Sequence, residues 1–143
     1  MIFEIPLLDG RIVYMQGEES DIESIIFVPA SNFYSIWHDS QKLDKAVTAK
    51  KYSEAEKAFL KSRQYPVPVV FAGIFDYDQK GYLQIKLDDG ITRTSWLIKN
   101  YAQSFPLACS RSQVGTFERE LSTKCSHVAS QSNLLEGKGR GKL

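Results

Sequence analysis

Between residues 82 and 101 the repeat of the apolar residues changes. In GYLQIKL, Leu83, Ile85 and Leu87 alternate with Tyr82, Gln84 and Lys86, the pattern of a strand with one buried and one wet face. After Asp88-Asp89-Gly90 the spacing of Ile91, Leu97, Ile98 and Tyr101 fits the inner side of a helix, and FPLACS then returns as a strand. A chain that passes from strand to helix within three residues must layer helices on a sheet.

The flanking segments agree. MIFEIPLL and RIVYMQ, joined by Asp9-Gly10, read as a hairpin because Asp-Gly supplies the positive φ angles of a tight turn. IESIIFVPA, residues 22–30, is a nearly continuous apolar run of strand length, as expected of a strand covered on both faces. Ser31 is placed to cap a short helix whose Phe33, Tyr34, Ile36 and Trp37 form a dense apolar cluster. Residues 38–52 are polar and weakly patterned, and SEAEKAFLKSR, residues 53–63, carries a capping box in Ser53 and Glu56. PVPVVFAGIF, residues 66–75, is an extended apolar segment whose prolines favour an edge or a strand start. Asp76 to Gly81 reads as a turn, and SQVGTFERELSTK as a last helix. Strands alternating with helices predict a mixed α/β domain over residues 1–125, an α+β mixed sheet with packed helices and at least one right-handed strand-helix-strand crossover. A mobile basic tail of Gly, Ser and Lys/Arg is expected over 126–143.

The chain has 143 residues, enough for one domain with its own core, and 43% of them are apolar. Its 18 basic and 17 acidic side chains leave a net charge of +1, which argues against a surface built to grip duplex DNA. The N-terminal stretch has Glu4 in a short apolar run and no basic leader, so no secretory signal is expected. Nothing approaches the roughly 18 consecutive apolar residues of a bilayer span, so no membrane insertion is expected. Cys109 and Cys125 are then most simply reduced thiols in a bacterial cytoplasm.

Three candidate sites fare poorly on chemistry. DYDQKGYLQIKL begins like a calcium loop at Asp76, but its fifth position is Lys80 and its twelfth, where a bidentate glutamate belongs, is Leu87. Cys109, Cys125 and His127 are three soft ligands with no fourth and no tight Cys pair, so no metal is expected and Cys109 reads as a buried thiol. His38 and His127 lie near no recognisable nucleophile motif, and His38, beside Trp37, reads as a surface or partner residue.

The junction after Leu87 is richer. Backbone N–H groups at a helix start are unsatisfied and seat anions. Gly90 permits close approach, Thr92 and Thr94 carry hydroxyls, and Arg93 can bind phosphate through two N–H groups. The residues equally allow a structural reading, in which Asp89 caps the helix, Gly90 turns the chain and Arg93 pairs with Asp88 or Asp89.

The stretch Gly90-Ile91-Thr92-Arg93-Thr94-Ser95-Trp96-Leu97, followed by Phe105-Pro106-Leu107, resembles the helix and closing strand of the ParB/sulfiredoxin superfamily. Within it, the chain is most similar to the plasmid fertility inhibition factors, where a strand leads into Asn/Asp-Gly-Arg-His-Arg-Thr, a Trp-Leu helix and Ile-Pro-Val. IIFVPASNFYSIW, residues 25–37, resembles that family's strand and Trp-ended helix, and Pro66-Val67-Pro68-Val69-Val70 its Pro-x-Val strand. The likeness spans roughly residues 10 to 110, and 89–107 is its specific part. Gly90, Arg93 and Thr94 match, whereas Ile91-Thr92 replaces the family's Arg-His. Ile91 also stands where sulfiredoxins hold their catalytic cysteine, which excludes that reductase chemistry.

The resemblance implies a ParB/sulfiredoxin-like domain that represses conjugative transfer of a co-resident plasmid. It would do so by binding the type IV secretion machinery, with the coupling protein ATPase as favoured target and no cofactor. Exposed aromatic anchors for that protein–protein contact would be sought at Trp37, His38, Tyr77 and Tyr82, with a core role favoured for Trp37. The alternatives are a nucleotide hydrolase or DNase that uses Arg93 with Asp88, Asp89 and a divalent metal, and a small DNA-binding module.

Overall fold

The computed structural model of the chain describes residues 1–40, 47–77, 83–121 and 126–127, with backbone alone at 21–23, 39–40, 74–77 and 126–127. It is a mixed α+β fold of two sheets and four helices among the described residues. Strands β1 (Ile2–Pro6) and β2 (Ile12–Gln16) pair antiparallel, with Ile2 opposite Gln16 and Pro6 opposite Ile12. The expected hairpin turn is present, with Gly10 at φ +94° and Arg11 Nε 2.7 Å from Asp9 Oδ2. The Arg11 backbone N–H, more than its guanidinium, holds the Asp9 carboxyl below its ordinary pKa.

Strand β3 (Ile25–Pro29) is covered on both faces, as its continuous apolar run requires. Ile26 and Val28 enter the main core, whereas Ile25 and Phe27 pack with Phe3 on the other face. Helix α1 (Ala30–Ser40) follows at once, so Ser31 lies inside the helix rather than capping it. Helix α2 (Ala49–Phe59) begins earlier than the capping box at Ser53 implied. Thr48 is its cap, its Oγ1 accepting a hydrogen bond from Lys51 N at 3.2 Å, and Ser53 falls in the helix interior.

The apolar run 66–75 is divided between the two sheets. Strand β4 (Val67–Pro68) joins β2 in parallel, Val69 N–H donates to Gln16 O at 2.9 Å, and β5 (Val70–Tyr77) enters the larger sheet. There β5 pairs antiparallel with β6 (Leu83–Asp88) and parallel with β7 (Ser104–Ala108). Leu83, Ile85 and Leu87 are buried, as the alternation predicted. Parallel neighbours β5 and β7 are connected through β6 and helix α3 (Ile91–Lys99), so the crossover carries an extra strand.

The larger sheet has the order β6-β5-β7-β3-β8, in which β8 (Ser126–His127) pairs with Ile26 and Phe27. Those two residues open the expected tail, and the rest of it, 128–143, lies outside the described residues. Helix α4 (Val114–Glu120) confirms the last helix and sends Val114 and Phe117 into the core. Tyr101, expected on the inner side of α3, is instead 68% exposed beyond the helix end at φ +61°. Trp96 is fully buried, because α2 covers that face of α3 and Phe59 stacks on the indole at 4.8 Å.

Candidate functional site at the strand-to-helix junction

Strand β6 ends at Asp88, and the chain turns through two left-handed residues, Asp89 at φ +53° and Gly90 at φ +104°. Gly90 itself occupies the cap position of α3, with no side chain bonded to the first turn. The expected Asp89 cap does not form, since the left-handed backbone leaves that side chain 98% exposed, one residue before the cap position. Glycine is required here twice over. A β-carbon at residue 90 would stand 2.6 and 2.9 Å from the two γ-methyls of Val70, and the backbone angle disfavours any other residue.

Arg93 then folds back over the same region. Its Nη1 donates to the carbonyl oxygen of Pro68 at 3.1 Å, and Nη2 lies 4.0 Å from Asp89 Oδ2. Pro68 closes β4 and Val70 opens β5, so Gly90 and Arg93 both hold the short link by which the chain changes sheets. Helix α3, the smaller sheet and the larger sheet meet at this link.

Beside it runs a groove of about 520 Å³ between α2 and the start of α3. Gly90, Thr92 and Arg93 line it, together with Thr48, Lys51 and Glu54 of α2 and Asp89. The groove follows one face of α2 as far as Ala58 and meets the start of α3, where a helix N-terminus favours a negative group. The side-chain charges oppose one another: Lys51 and Arg93 against Glu54 and Asp89. Thr94 is not in the groove. It is 1% exposed, and its Oγ1, like the Ser95 hydroxyl, is buried without a hydrogen-bond partner among the described residues. Asp88 projects to the exposed face of β6.

Arg93 was singled out by the sequence, but its bond to Pro68, 25 residues earlier, carries no local signal. Lys51 and Thr48 were missed because α2 begins inside a stretch with no apolar repeat. Glu56, read as half of a capping box, instead accepts a hydrogen bond from Trp96 Nε1 at 3.2 Å and helps clamp α2 to α3. Asn100 extends this clamp, donating to Tyr52 Oη at 3.1 Å and accepting from Arg11 Nη2 at 3.0 Å.

Of the aromatic candidates, Trp37 is fully buried beside Phe33, the core role favoured for it. His38 is half-buried, stacked on Tyr34 at 5.0 Å, with Nδ1 2.9 Å from the Tyr34 carbonyl oxygen. The Tyr77 side chain and all of Tyr82 lie outside the described residues, as do residues 78–82 of the segment weighed as a calcium loop. Cys109 is buried just after β7, and burial, with the charge of Glu118 adding to it, pushes its thiol up to about 11. Cys125 and the His127 side chain lie outside the described residues. Among the described residues no three His, Cys, Asp or Glu side chains gather into a group that could hold a metal, and no helix is long and apolar enough to cross a membrane.

A model of the plasmid fertility inhibition factor family matches residues 25–121, from the start of β3 to the end of α4. Among solved structures, the chain is similar to the crystal structure of an Oncogenic Suppression Activity protein, described as a plasmid fertility inhibition factor. The TM-score is 0.74 at 17% sequence identity, over 94% of this chain and 77% of that one, a likeness of fold. A search of curated proteins finds no match.

Proposed function

The chain belongs to the plasmid fertility inhibition factor family, and from that membership we propose that it represses transfer of a co-resident plasmid by binding the conjugation machinery without chemistry of its own. The coupling protein, the ATPase that brings DNA to the secretion channel, is the favoured target, in the cytoplasm. The engagement of Arg93 carries this reading. The guanidinium that would have to neutralise a phosphate donates to Pro68 O and faces Asp89, and the Arg-His pair of the family's motif is Ile91-Thr92 here. Gly90 and Arg93 then serve as a joint, and the family's inhibitory property is carried by a surface. Pull-down of the purified chain against coupling protein, relaxase and relaxosome accessory proteins tests the reading. Capture of the coupling protein is expected; capture of none of them, beside undiminished mating, would sink it.

A second reading has one observation in its favour, the opening of the start of α3 onto the groove lined by Gly90, Thr92 and Arg93. It makes the chain a nucleotide hydrolase or DNase in which Arg93 meets phosphate and Asp88 or Asp89 helps hold a divalent metal. It requires ATP or DNA turnover with magnesium or manganese that disappears in Arg93→Ala. A small DNA-binding module, the third reading, requires gel shifts that weaken steeply with salt, which a net charge of +1 disfavours.

A further inference from the structure

Away from the junction, two clefts share a pair of side chains, Leu8 and Tyr101. The first, about 550 Å³, is lined by uncharged residues, chiefly Pro6, Leu7, Leu8, Ile98, Tyr101 and Ala102. The second, about 370 Å³, continues past Leu8 and Tyr101 to Asp9, Arg11, Lys99 and Asn100. The residues that line the junction groove contribute to neither. Leu8, at 79%, and Tyr101, at 68%, are the most exposed large apolar side chains among the described residues.

Neither residue suits its position for folding. Helix α3 ends in a left-handed stop in which Tyr101 N–H donates to Ile98 O at 3.1 Å and Ala102 N–H to Leu97 O at 3.0 Å. The left-handed residue of such a stop is usually glycine, whereas here a tyrosine adopts φ +61°. Leu8 sits in a hairpin turn, where a polar residue is the ordinary choice. The chain thus holds two large apolar groups in water, side by side, at positions where its own fold gains nothing from them.

The charges beside them define what would fit. In the second cleft Arg11 is paired with Asp9 at 2.7 Å and donates to Asn100 Oδ1, so its charge is answered. Lys99 forms no ion pair among the described residues; its ammonium lies 5.5 Å from the centre of the Tyr52 ring. An uncharged apolar cleft therefore adjoins one whose Lys99 ammonium faces a tyrosine ring and is paired with no carboxylate among the described residues. We propose that the Leu8–Tyr101 surface docks the protein this factor inhibits, through a segment that places an apolar side chain in the first cleft and a carboxylate against Lys99. This deepens the reading that the chain acts by binding, and names the surface and the chemistry of the bound segment.

The test uses the full chain and the variants Tyr101→Gly, Lys99→Glu and, as a control elsewhere on the surface, Tyr65→Ser, which replaces another exposed aromatic. Mating suppression, thermal stability, sedimentation state and pull-down of the coupling protein are measured for each. Tyr101→Gly is expected to raise Tm, because glycine suits the helix stop, and yet to relieve mating suppression about tenfold or more. Lys99→Glu should relieve it comparably with only a small fall in Tm, from the lost contact with Tyr52 and the reversed charge at the end of α3, and Tyr65→Ser should behave as the parent. Full suppression by the Tyr101→Gly chain, or a fall in its Tm, would overturn the proposal, and full suppression by Lys99→Glu would remove the acidic partner. A parent dimer that Tyr101→Gly dissociates would make the occupant a second copy and also overturn it. The two readings fail separately. A parent that suppresses mating without capturing the coupling protein removes that target, while the suppression ratios still decide the surface.

Discussion

Arg93 Nη1 donates a hydrogen bond to the carbonyl oxygen of Pro68 at 3.1 Å, fastening the first turn of α3 to the last residue of β4. Because Val70, two residues on, packs against Gly90, the glycine and the arginine of the family's motif act on one target. That target is the link where the chain leaves the smaller sheet for the larger one. Arg93→Ala should therefore cost about 1–2 kcal/mol of stability, as expected for a partly exposed charged donor to a carbonyl. Arg93→Lys should recover little of it, since an ammonium cannot bridge Pro68 and Asp89 as a planar fork does. Urea unfolding measures both; an unchanged midpoint in Arg93→Ala would contradict the joint.

Gly90→Ala combines a left-handed backbone with a clash into Val70, and should destabilise by about 2–4 kcal/mol. Gly115→Ala is the contrast, since Gly115 lies in α4 with open space around its β-carbon position. It should stabilise by roughly 0.5–1 kcal/mol. If the two variants shift the unfolding midpoint alike, packing at the junction is not what requires glycine.

Trp96 joins α3 to α2 by stacking on Phe59 and by its bond to Glu56. Trp96→Phe keeps the stacking and loses the bond, for about 1 kcal/mol; Trp96→Ala opens the core and should cost about 3–5 kcal/mol. Thermal unfolding separates them, and equal losses would mean that the indole N–H, not the ring, holds the helices together.

Cys109 stays protonated in the fold up to about pH 11, against 9.0 for an ordinary thiol. Between those values the unfolded chain has released a proton that the native chain keeps, so stability falls as pH rises. The slope from this group approaches about 1.4 kcal/mol per pH unit, read as the difference between the parent and Cys109→Ala. In a Cys125→Ser background the native thiol should resist alkylation at pH 8 and react on unfolding. Rapid labelling of folded protein would contradict its burial.

The legible parts of this fold are the local ones. Asp9-Gly10 marks a hairpin because two adjacent residues decide its turn, and Leu83, Ile85 and Leu87 mark a half-buried strand because the pleat has a period of two. The start of α2 was misplaced because Ser53 and Glu56 satisfy the capping-box pattern equally well inside a helix, whereas Thr48 stands in a segment with no apolar repeat. Residues 66–75 read as one segment because composition does not say which sheet a strand joins; that follows from the pairing of Val67 with Met15 and of Val70 with Leu107. Gly90 and Arg93 were visible as a motif, but their shared contact with the 68–70 link depends on residues twenty or more positions away. Tyr101 fitted a helical spacing, and only the bonds of the helix stop reveal the left-handed turn that exposes it.

Calorimetric titration of the full chain into the cytosolic ATPase domain of a coupling protein, with and without magnesium and ATP, is the most direct measurement. Saturable binding is expected in both conditions, with no ATP turnover attributable to the chain. No binding, together with turnover by the chain alone that disappears in Arg93→Ala, would contradict a factor that inhibits by binding and would make the groove between α2 and α3 a catalytic site.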